Sequence, residues 1–320
     1  MHGSLTLPQD GITPPDARSD HFLDAVRGSE WVLVIFLIYA AAAAVLLPAG
    51  PDVRECVALW NFGVILLLGL LVHFDRDNRS LVISVTRDWM PLAVLLLAYQ
   101  EMGWFAMPQH SHVLESHWVA WDRLVLRGGA KSAIEAFGPV LPSILEIAYS
   151  LVYTVGPFSL AVLYLYRRRV RADRFLFMFT VGVLLCYAQF PFWPSEPPRV
   201  VFFGQDIPAS DTIFRRFNLW LLGNAGIHTS VFPSAHVAAA FSAAFAMWRT
   251  LPEYKWVGRF LCVMALLIAT ATVYGRYHYL ADAAAGVSMA FGALALTVLR
   301  DNLRLRSAPD PAPASEAEHA

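Results

Sequence analysis

Eight apolar segments of nearly equal length constrain this chain more than any other feature. They lie at 31–49, 56–74, 89–107, 142–166, 174–193, 233–250, 258–276 and 280–299. A helix needs about 20 apolar residues to cross the hydrocarbon core of a bilayer. Charged residues make up only 15% of the chain, whereas soluble domains average about 25%. The sequence therefore predicts an all-α polytopic membrane protein with about eight transmembrane helices.

Polar segments flank these apolar runs at both ends of the chain. Residues 1–30 and 301–320 are rich in polar residues and proline, which is typical of disordered tails. We therefore expect a single transmembrane domain over residues 31–300. No cleavable signal peptide is expected, because the first apolar run begins only near Trp31.

The distribution of positive charge predicts which side of the membrane each loop faces. With eight crossings, segments on the side of the amino terminus hold 16 Lys and Arg residues, and those on the other side hold eight. Cytoplasmic loops carry the excess of positive charge in membrane proteins. We expect both termini to be cytoplasmic, with the protein in a bacterial inner membrane.

Charge and cysteine usage exclude several classes of partner. The formal net charge is −1, which gives no reason to expect nucleic acid. The three cysteines, Cys56, Cys186 and Cys262, all fall inside apolar runs. Their positions favour buried packing residues over a disulfide framework or a metal site.

Two polar motifs interrupt the carboxyl-terminal apolar runs. One is Val-Phe-Pro-Ser-Ala-His, ending at His236, and the other is Tyr-Gly-Arg-Tyr-His-Tyr-Leu-Ala-Asp, containing His278 and Asp282. The 42 positions between the histidines suffice for one helix across the membrane and one back. Both histidines are therefore predicted on one face, the extracytoplasmic one. On a helix, Asp282 lies one turn beyond His278 and within reach of its imidazole.

These residue types suit phosphoryl transfer. We predict His278 as the nucleophile, Asp282 as the group that orients its ring, and His236 as the general acid and base. Ser234 at a helix start, with the backbone N–H groups of the first turn, suits a phosphate oxygen. Arg199 in the preceding Pro-Pro-Arg segment can bind phosphate with two parallel hydrogen bonds.

A structural role is the alternative for each histidine taken alone. His110, His112 and His117 in one loop are only a weak metal signal, so we predict no metal and no cofactor. The other motifs differ because Pro-Ser-x-His, His-x3-Asp and Pro-Pro-Arg all fall on the same predicted face. Their agreement favours a catalytic site.

The same residues carry a family resemblance. Phe-Pro-Ser-Ala-His, His-Tyr-x-x-Asp and Pro-Pro-Arg resemble the motifs of the type 2 phosphatidic-acid phosphatase superfamily. Within it they look most like the inositol phosphorylceramide synthase branch, which consists of inositolphosphotransferases. The motif core spans residues 190–290. The resemblance implies a six-helix catalytic core, preceded here by two extra spans, with the roles given above for His278, Asp282 and His236.

The chain departs from the superfamily pattern at several phosphate-binding positions. Phe192 stands where the superfamily has lysine, and Ala271 and Thr272 stand where a Ser-Arg pair is expected. Arg276, two residues before His278, is our candidate for the missing positive charge. The paired histidines of the synthase branch appear here as Tyr277-His278.

The resemblance implies transfer of a phosphoryl or phosphoalcohol group from a phospholipid donor to a lipid or water acceptor. An inositolphosphotransferase-like enzyme is the leading prediction, and a lipid-phosphate phosphatase is the alternative within enzymes. A non-catalytic lipid transporter or scaffold is the alternative from another class. Two long extracytoplasmic segments, near 108–141 and 194–232, are predicted to cover the site, with Trp118 and Trp121 in the first.

Overall fold

The computed structural model describes residues 22–78, 80–106 and 110–306, and all the secondary structure in these residues is helical. The α-helices are α1 (Gly28–Leu46), α2 (Pro51–Asn78), α3 (Leu81–Met102), α4 (Val113–Val125), α5 (Lys131–Glu135), α6 (Val140–Leu151), α7 (Val155–Leu165), α8 (Ala172–Tyr187), α9 (Pro198–Val201), α10 (Ile213–Ala225), α11 (Ala235–Thr250), α12 (Lys255–Tyr274) and α13 (Leu280–Arg306). Short 3-10 turns lie at Phe22–Ala25, Gly103–Phe105, Val152–Thr154, Arg169–Arg171, Phe190–Phe192 and Pro252–Tyr254, and a π turn at Leu126–Ala130.

The all-α membrane fold is confirmed. Seven helical segments among the described residues are long and apolar enough to cross a membrane: Gly28–Leu46, Pro51–Asp77, Leu81–Phe105, Val140–Leu165, Arg169–Phe192, Pro252–Tyr274 and Leu280–Arg306. Each of them coincides with one of the predicted spans. The remaining predicted span is α11, whose 16 residues are fewer than the usual spanning length of about 20.

The expected tail boundaries differ from the structure. Helix α1 begins at Gly28, and its first three residues are buried, so the tail predicted over 1–30 was drawn too long. The reason is tertiary: Asp173 accepts hydrogen bonds from the backbone and hydroxyl of Ser29, at 2.8 and 2.7 Å. Helix α13 likewise continues to Arg306, beyond the predicted boundary at 301. The rest of the two predicted tails, 1–21 and 307–320, lies outside the described residues.

Helices α8 and α11 form the centre of the bundle. The apolar part of the span containing α8 is 72% buried, and α11 packs against α8, α12 and α13. Alanine dominates the buried face of α11, as at Ala240, Ala243 and Ala244. Small side chains let neighbouring backbones approach closely, which drives helix association in membranes. Large apolar side chains on the outer faces of the bundle remain exposed, as expected for surfaces that contact lipid.

Two glycines bring the polar motifs together. Helix α12 ends at Tyr274, and a β-carbon on Gly275 would lie 2.3 Å from the Tyr277 ring, so only glycine permits this turn. A β-carbon on Gly286 of α13 would lie 2.5 Å from the Ser234 carbonyl oxygen. The close approach at Gly286 places the second turn of α13 against the start of α11. The predicted meeting of the two motifs at one end of the bundle follows from it.

Candidate active site

The imidazoles of His236 and His278 contact each other where α11 begins and α12 has just ended. His278 Nε2 lies 3.4 Å from His236 Nδ1. On its other side, His278 Nδ1 lies 3.0 Å from the Val231 carbonyl oxygen. A carbonyl oxygen can only accept, so Nδ1 must carry the proton. The lone pair of neutral His278 is therefore on Nε2, the nitrogen that faces His236.

Asp282 stands behind His278 as the sequence predicted. Its Oδ2 lies 3.3 Å from His278 Nδ1 and accepts the Tyr279 backbone N–H at 2.9 Å. The backbone carbonyl of Asp282 also contributes to the site, because it accepts a hydrogen bond from the Ser234 backbone N–H at 3.0 Å. Because Asp282 lies in the first turn of α13, the helix itself holds the carboxylate in place. The ring orientation of His278 is thus determined by one carboxylate and one backbone carbonyl.

His278 is neutral across the physiological range of pH. Burial, helped by the positive charge of Arg199, lowers its pKa from 6.5 to about 3, although the hydrogen bond to Val231 acts in the opposite direction. A protonated imidazole has no lone pair on Nε2 and cannot attack. The environment therefore keeps the nucleophilic form available.

Tyrosines hold His236 from two directions. Tyr153 Oη lies 3.2 Å from His236 Nε2. The ring of Tyr149 stacks on the imidazole, with centroids 5.1 Å apart and planes inclined by 17°. Tyr149 in turn stacks on Tyr277, at 4.2 Å. These contacts fix the imidazole plane so that Nδ1 points toward His278.

Arg199 supplies the cation of the site. It lines the same cavity as His236, His278 and Tyr277, together with Ser195 and Glu196. Its guanidinium lies over the Tyr277 ring, 5.7 Å from the centroid, and makes no ion pair among the described residues. Burial lowers the pKa of this guanidinium, so its charge is poorly solvated. An unpaired, partly desolvated cation beside two imidazoles suits a phosphate anion.

The other two predicted phosphate ligands lie behind the cavity. Ser234 is fully buried and caps α11, where its hydroxyl accepts the Val237 backbone N–H at 3.4 Å. Arg276 is also fully buried, and its Nη1 donates to Asp122 at 2.6 Å. Neither residue lines the cavity. Arg276 Nε and Nη2 have no hydrogen-bond partner among the described residues. Phosphate binding by Ser234 and Arg276 remains a prediction.

A buried network around Glu146, which the sequence analysis did not predict, supports the site. Glu146 accepts hydrogen bonds from Tyr277 Oη at 2.6 Å, Asn218 Nδ2 at 2.7 Å and Arg215 Nη1 at 3.1 Å. Arg215 also donates to the Gly275 carbonyl. The network therefore fixes Tyr277 and the turn that carries His278. Its members come from α6, α10 and the α12–α13 turn, so no local sequence motif indicates the network.

A second, larger cavity adjoins the first at His236. Its volume is about 430 Å³, and most of its lining is apolar. Tyr99, Ala235 and His236 line both cavities. The walls come from α3, α7, α8 and α11, with the turn Val152–Thr154. Among the lining residues, Trp89 and Leu96 are also exposed on the outer surface of the bundle. A space of this kind, reached from the lipid side, suits a hydrocarbon chain.

Of the two long segments predicted to cover the site, only the second lines the cavity that contains His278. Trp118 of α4 stacks on Phe232 at 5.0 Å and contacts Tyr279 at 5.6 Å, so it packs against the motifs from outside. Trp121 is exposed. Neither tryptophan lines the cavity that contains His278. Leu222 of α10 and the residues after α10 line it instead, which makes the second long segment the nearer cover.

Comparison with known proteins gives two matches. The sequence profile of the PAP2 superfamily matches residues 130–296. These residues include the fourth to seventh of the predicted spans, most of the eighth, and both histidine motifs. A PA-phosphatase related-family protein from Dictyostelium discoideum is 43% identical over 51 residues, which are 16% of this chain and 9% of that protein. The match thus covers less than a tenth of that relative's length. No solved structure matches the chain.

Proposed function

Since the chain belongs to the PAP2 superfamily, we propose that it transfers a phosphorus-containing group from a membrane lipid through a phosphohistidine at His278. The contact of the two imidazoles carries the proposal. His278 Nε2 bears a lone pair and faces His236 Nδ1 at 3.4 Å, next to the unpaired cation of Arg199. Nucleophile, proton donor and phosphate ligand are thus adjacent to one cavity.

The first half-reaction replaces a P–O bond by a P–N bond. A phosphate held by Arg199 separates the two imidazoles, and its negative charge favours the imidazolium form of His236. His278 Nε2 attacks phosphorus, the bond to the leaving oxygen breaks, and His236 gives that oxygen its proton. Asp282 and the Val231 carbonyl stabilise the positive charge that develops on the His278 ring.

The second half-reaction reverses these roles. Neutral His236 takes a proton from the hydroxyl of the acceptor, whose oxygen attacks phosphorus. The P–N bond breaks, and His278 regains its lone pair. When the acceptor is water the enzyme is a phosphatase, and when it is a lipid or alcohol hydroxyl the enzyme is a transferase. Both activities share every residue of the first step.

The apolar cavity supports a lipid as substrate. It begins at His236, so a hydrocarbon chain inside it would leave the phosphate at the imidazoles. Helix α3 forms one wall through Trp89, Leu92 and Leu96. This helix lies outside the part of the chain that the PAP2 profile matches. Lipid selectivity is therefore expected to depend on the amino-terminal spans.

We favour transfer to a lipid acceptor of the inositolphosphotransferase type, with hydrolysis as the alternative. The support is the cover over the reaction cavity, to which Leu222, Gly226 and Ile227 contribute. Excluding water is what a transferase requires and a phosphatase does not. A labelled phospholipid donor, with and without ceramide or diacylglycerol, distinguishes the two. Rapid hydrolysis of phosphatidic acid with no labelled acceptor lipid would establish the phosphatase.

A transporter is disfavoured by the positions of the buried acidic groups. Transporters place polar groups near the middle of the bilayer. Glu146 lies near the start of its span and is neutralised by Arg215 at 3.1 Å, and Glu101 lies in the last turn of α3. Glu101 therefore lies at a helix end, and the charge of Glu146 is paired with that of Arg215.

We place the site on the extracytoplasmic face, on the basis of the Lys and Arg distribution. A cysteine at the exposed Asp211 should react with a membrane-impermeant maleimide added outside the cell. A cysteine at Asn302 should react only after permeabilisation. The background would lack Cys56, Cys186 and Cys262. The opposite labelling pattern would place the site in the cytoplasm.

Trapping the covalent intermediate tests the proposal directly. Purified protein is mixed with a ³²P-labelled lipid phosphate, quenched in alkali and digested. We expect an alkali-stable, acid-labile label on the peptide that contains His278. His236→Asn should slow both formation and decay of this label. Label on another residue, or full turnover in a protein that never carries label, would contradict the proposal.

A further inference from the structure

A cluster of two histidines and one glutamate lies beside the loop that carries Arg199. His110 Nε2 is 2.8 Å and His112 Nδ1 is 3.2 Å from Glu115 Oε1. The ligand atoms of the three residues all lie within 4.8 Å of one another. The proposed phosphoryl transfer makes no use of these residues.

The chemistry of Glu115 calls for a cation. The residue is fully buried, and among the described residues its only possible cationic partners are the two histidines. Its second oxygen, Oε2, has no hydrogen-bond partner there. A buried carboxylate is normally paired with a charge or bound to a metal, because desolvating it alone is costly. Hydrogen bonds from neutral imidazoles leave that requirement only partly met.

The arrangement fits a transition-metal ion. Two imidazole nitrogens and one carboxylate oxygen are a common ligand set for Zn²⁺, with water in the fourth position. Bond lengths of about 2.0–2.2 Å require only short movements from the present separations. His112 is partly exposed and can make them.

A partner for the outer nitrogen of His112 is also present. The Glu196 carboxylate lies 3.8 Å from His112 Nε2, the nitrogen that points away from the cluster. Carboxylates in this position orient metal-binding histidines and fix their tautomer. The Glu196 backbone N–H also donates to Glu115 Oε1 at 3.2 Å.

We propose that His110, His112 and Glu115 bind one Zn²⁺ ion, which orders the segment where α4 begins. That segment contacts Glu196, which lies three residues before Arg199, through Glu115 and His112. Ser195, Glu196 and Arg199 line the reaction cavity. The ion takes no part in bond breaking. It reduces the freedom of the residues that position the phosphate, and its binding does not depend on which reaction the site performs.

Metal binding to the purified full-length protein tests the proposal. The protein is treated with a chelator, dialysed and titrated with Zn²⁺, and the bound metal is measured by mass spectrometry. We expect one ion per chain and a higher melting temperature. Co²⁺ in place of Zn²⁺ should give visible absorption bands of a four-coordinate nitrogen and oxygen site.

Three matched variants make the test specific. Loss of an outer partner alone weakens metal binding by about 10–100-fold, so His112→Gln should cost more than about 100-fold. His110→Gln should weaken Zn²⁺ binding to a similar extent. His117→Gln is the control, because His117 is exposed on α4, the helix of Glu115, and lies outside the cluster. Its Zn²⁺ affinity should equal that of the wild type.

Two results would overturn the proposal. One is a chelated wild type that binds no more Zn²⁺ than the double variant of His110 and His112. The other is equal loss of binding in His117→Gln, which would indicate nonspecific surface binding. Because metal binding is read without any substrate, neither result bears on the phosphohistidine.

Discussion

Two arginines at opposite ends of the helix bundle, Arg87 and Arg199, use their charge in opposite ways. At the end away from the site, Arg87 donates to Glu30 at 2.6 Å, to Asp75 at 2.6 Å and to the Ala25 carbonyl at 2.8 Å. At the site, Arg199 has no ionic partner among the described residues and faces a cavity. Paired charges tie helices together, whereas an unpaired one can bind an anion. The comparison separates residues that stabilise the helix bundle from residues that are available to bind a substrate.

Two histidines at opposite ends of the bundle, His73 and His278, also differ in their surroundings. His73, on the last turns of α2, is exposed and lies 3.5 Å from Asp77. His278 is buried and contacts His236, Asp282 and the Val231 carbonyl. Both are histidines four residues before an aspartate. Burial and the second imidazole distinguish His278, which we propose as the nucleophile, from His73.

His278→Asn is expected to have the largest effect. Removing a catalytic nucleophile costs up to about 10⁶-fold, so we expect turnover to fall by at least about 10⁴-fold. His73→Asn, the matched change at the other end, should leave turnover unchanged. Initial rates with a lipid phosphate in detergent micelles provide the measurement, and gel filtration checks folding. Activity within tenfold of wild type in His278→Asn would remove the distinction between the two histidines.

Asp282→Asn should lower turnover by about 10²–10⁴-fold. The amide keeps the volume of the side chain but presents the wrong group to His278 Nδ1, so the ring loses its orientation and its stabilising charge. The loss should appear in kcat, with little change in the amount of bound substrate. An increase in KM with kcat unchanged would instead make Asp282 a substrate-binding residue.

Arg87→Met should destabilise the bundle and spare the chemistry. The change leaves Glu30 and Asp75 without their shared cation, and breaking a buried pair in this way costs about 3–5 kcal/mol. We expect a lower unfolding midpoint in denaturant, and normal kcat for the protein that remains folded. Wild-type stability would show that this end tolerates unpaired charge as the site does.

Arg199→Ala should give the reverse pattern. Loss of one charged ligand of a developing phosphate charge costs about 10²–10³-fold in turnover. Stability should change by less than about 1 kcal/mol, since no ion pair is broken. Arg216→Ala on α10 is the control, because Arg216 is exposed and, among the described residues, forms an ion pair only with Asp211. Reduced stability with normal turnover in Arg199→Ala would assign Arg199 to the structural group.

The last expected effect, which is small for each unit of pH, is on the pH dependence of stability. The pKa of His278 is about 3 in the folded protein and 6.5 in the unfolded chain. Between these values the unfolded chain binds a proton that the folded one does not, so the free energy of unfolding falls as pH falls. Above pH 6.5 the contribution of His278 is constant.

Unfolding in detergent at several pH values compares wild type with His278→Asn. The wild type should lose stability faster on acidification, by up to about 1.4 kcal/mol per pH unit. The difference between the two slopes removes the contribution of titratable groups that both proteins share. Equal slopes would mean that His278 titrates normally in the folded state.

The membrane fold could be predicted from the sequence because the bilayer is a simple solvent. Each apolar run long enough to span it must be helical, since no other local structure satisfies its backbone there. The pairing of His278 with Asp282 was predicted from helical spacing. The contact is present although α13 begins only at Leu280, because His278 lies just before the first turn that holds Asp282. Boundaries were less accurate where tertiary contacts decide them, as at Gly28, which Asp173 caps.

The sequence by itself determined that this chain is a helical membrane protein and that His236, His278 and Asp282 share one face. Those properties follow from local periodicity and from the number of crossings. Only the tertiary structure decided which arginine faces the cavity, which serine is a helix cap, and that Tyr153 and Glu146 support the histidines. Such choices depend on side chains from helices far apart in the chain, whose packing no local pattern records.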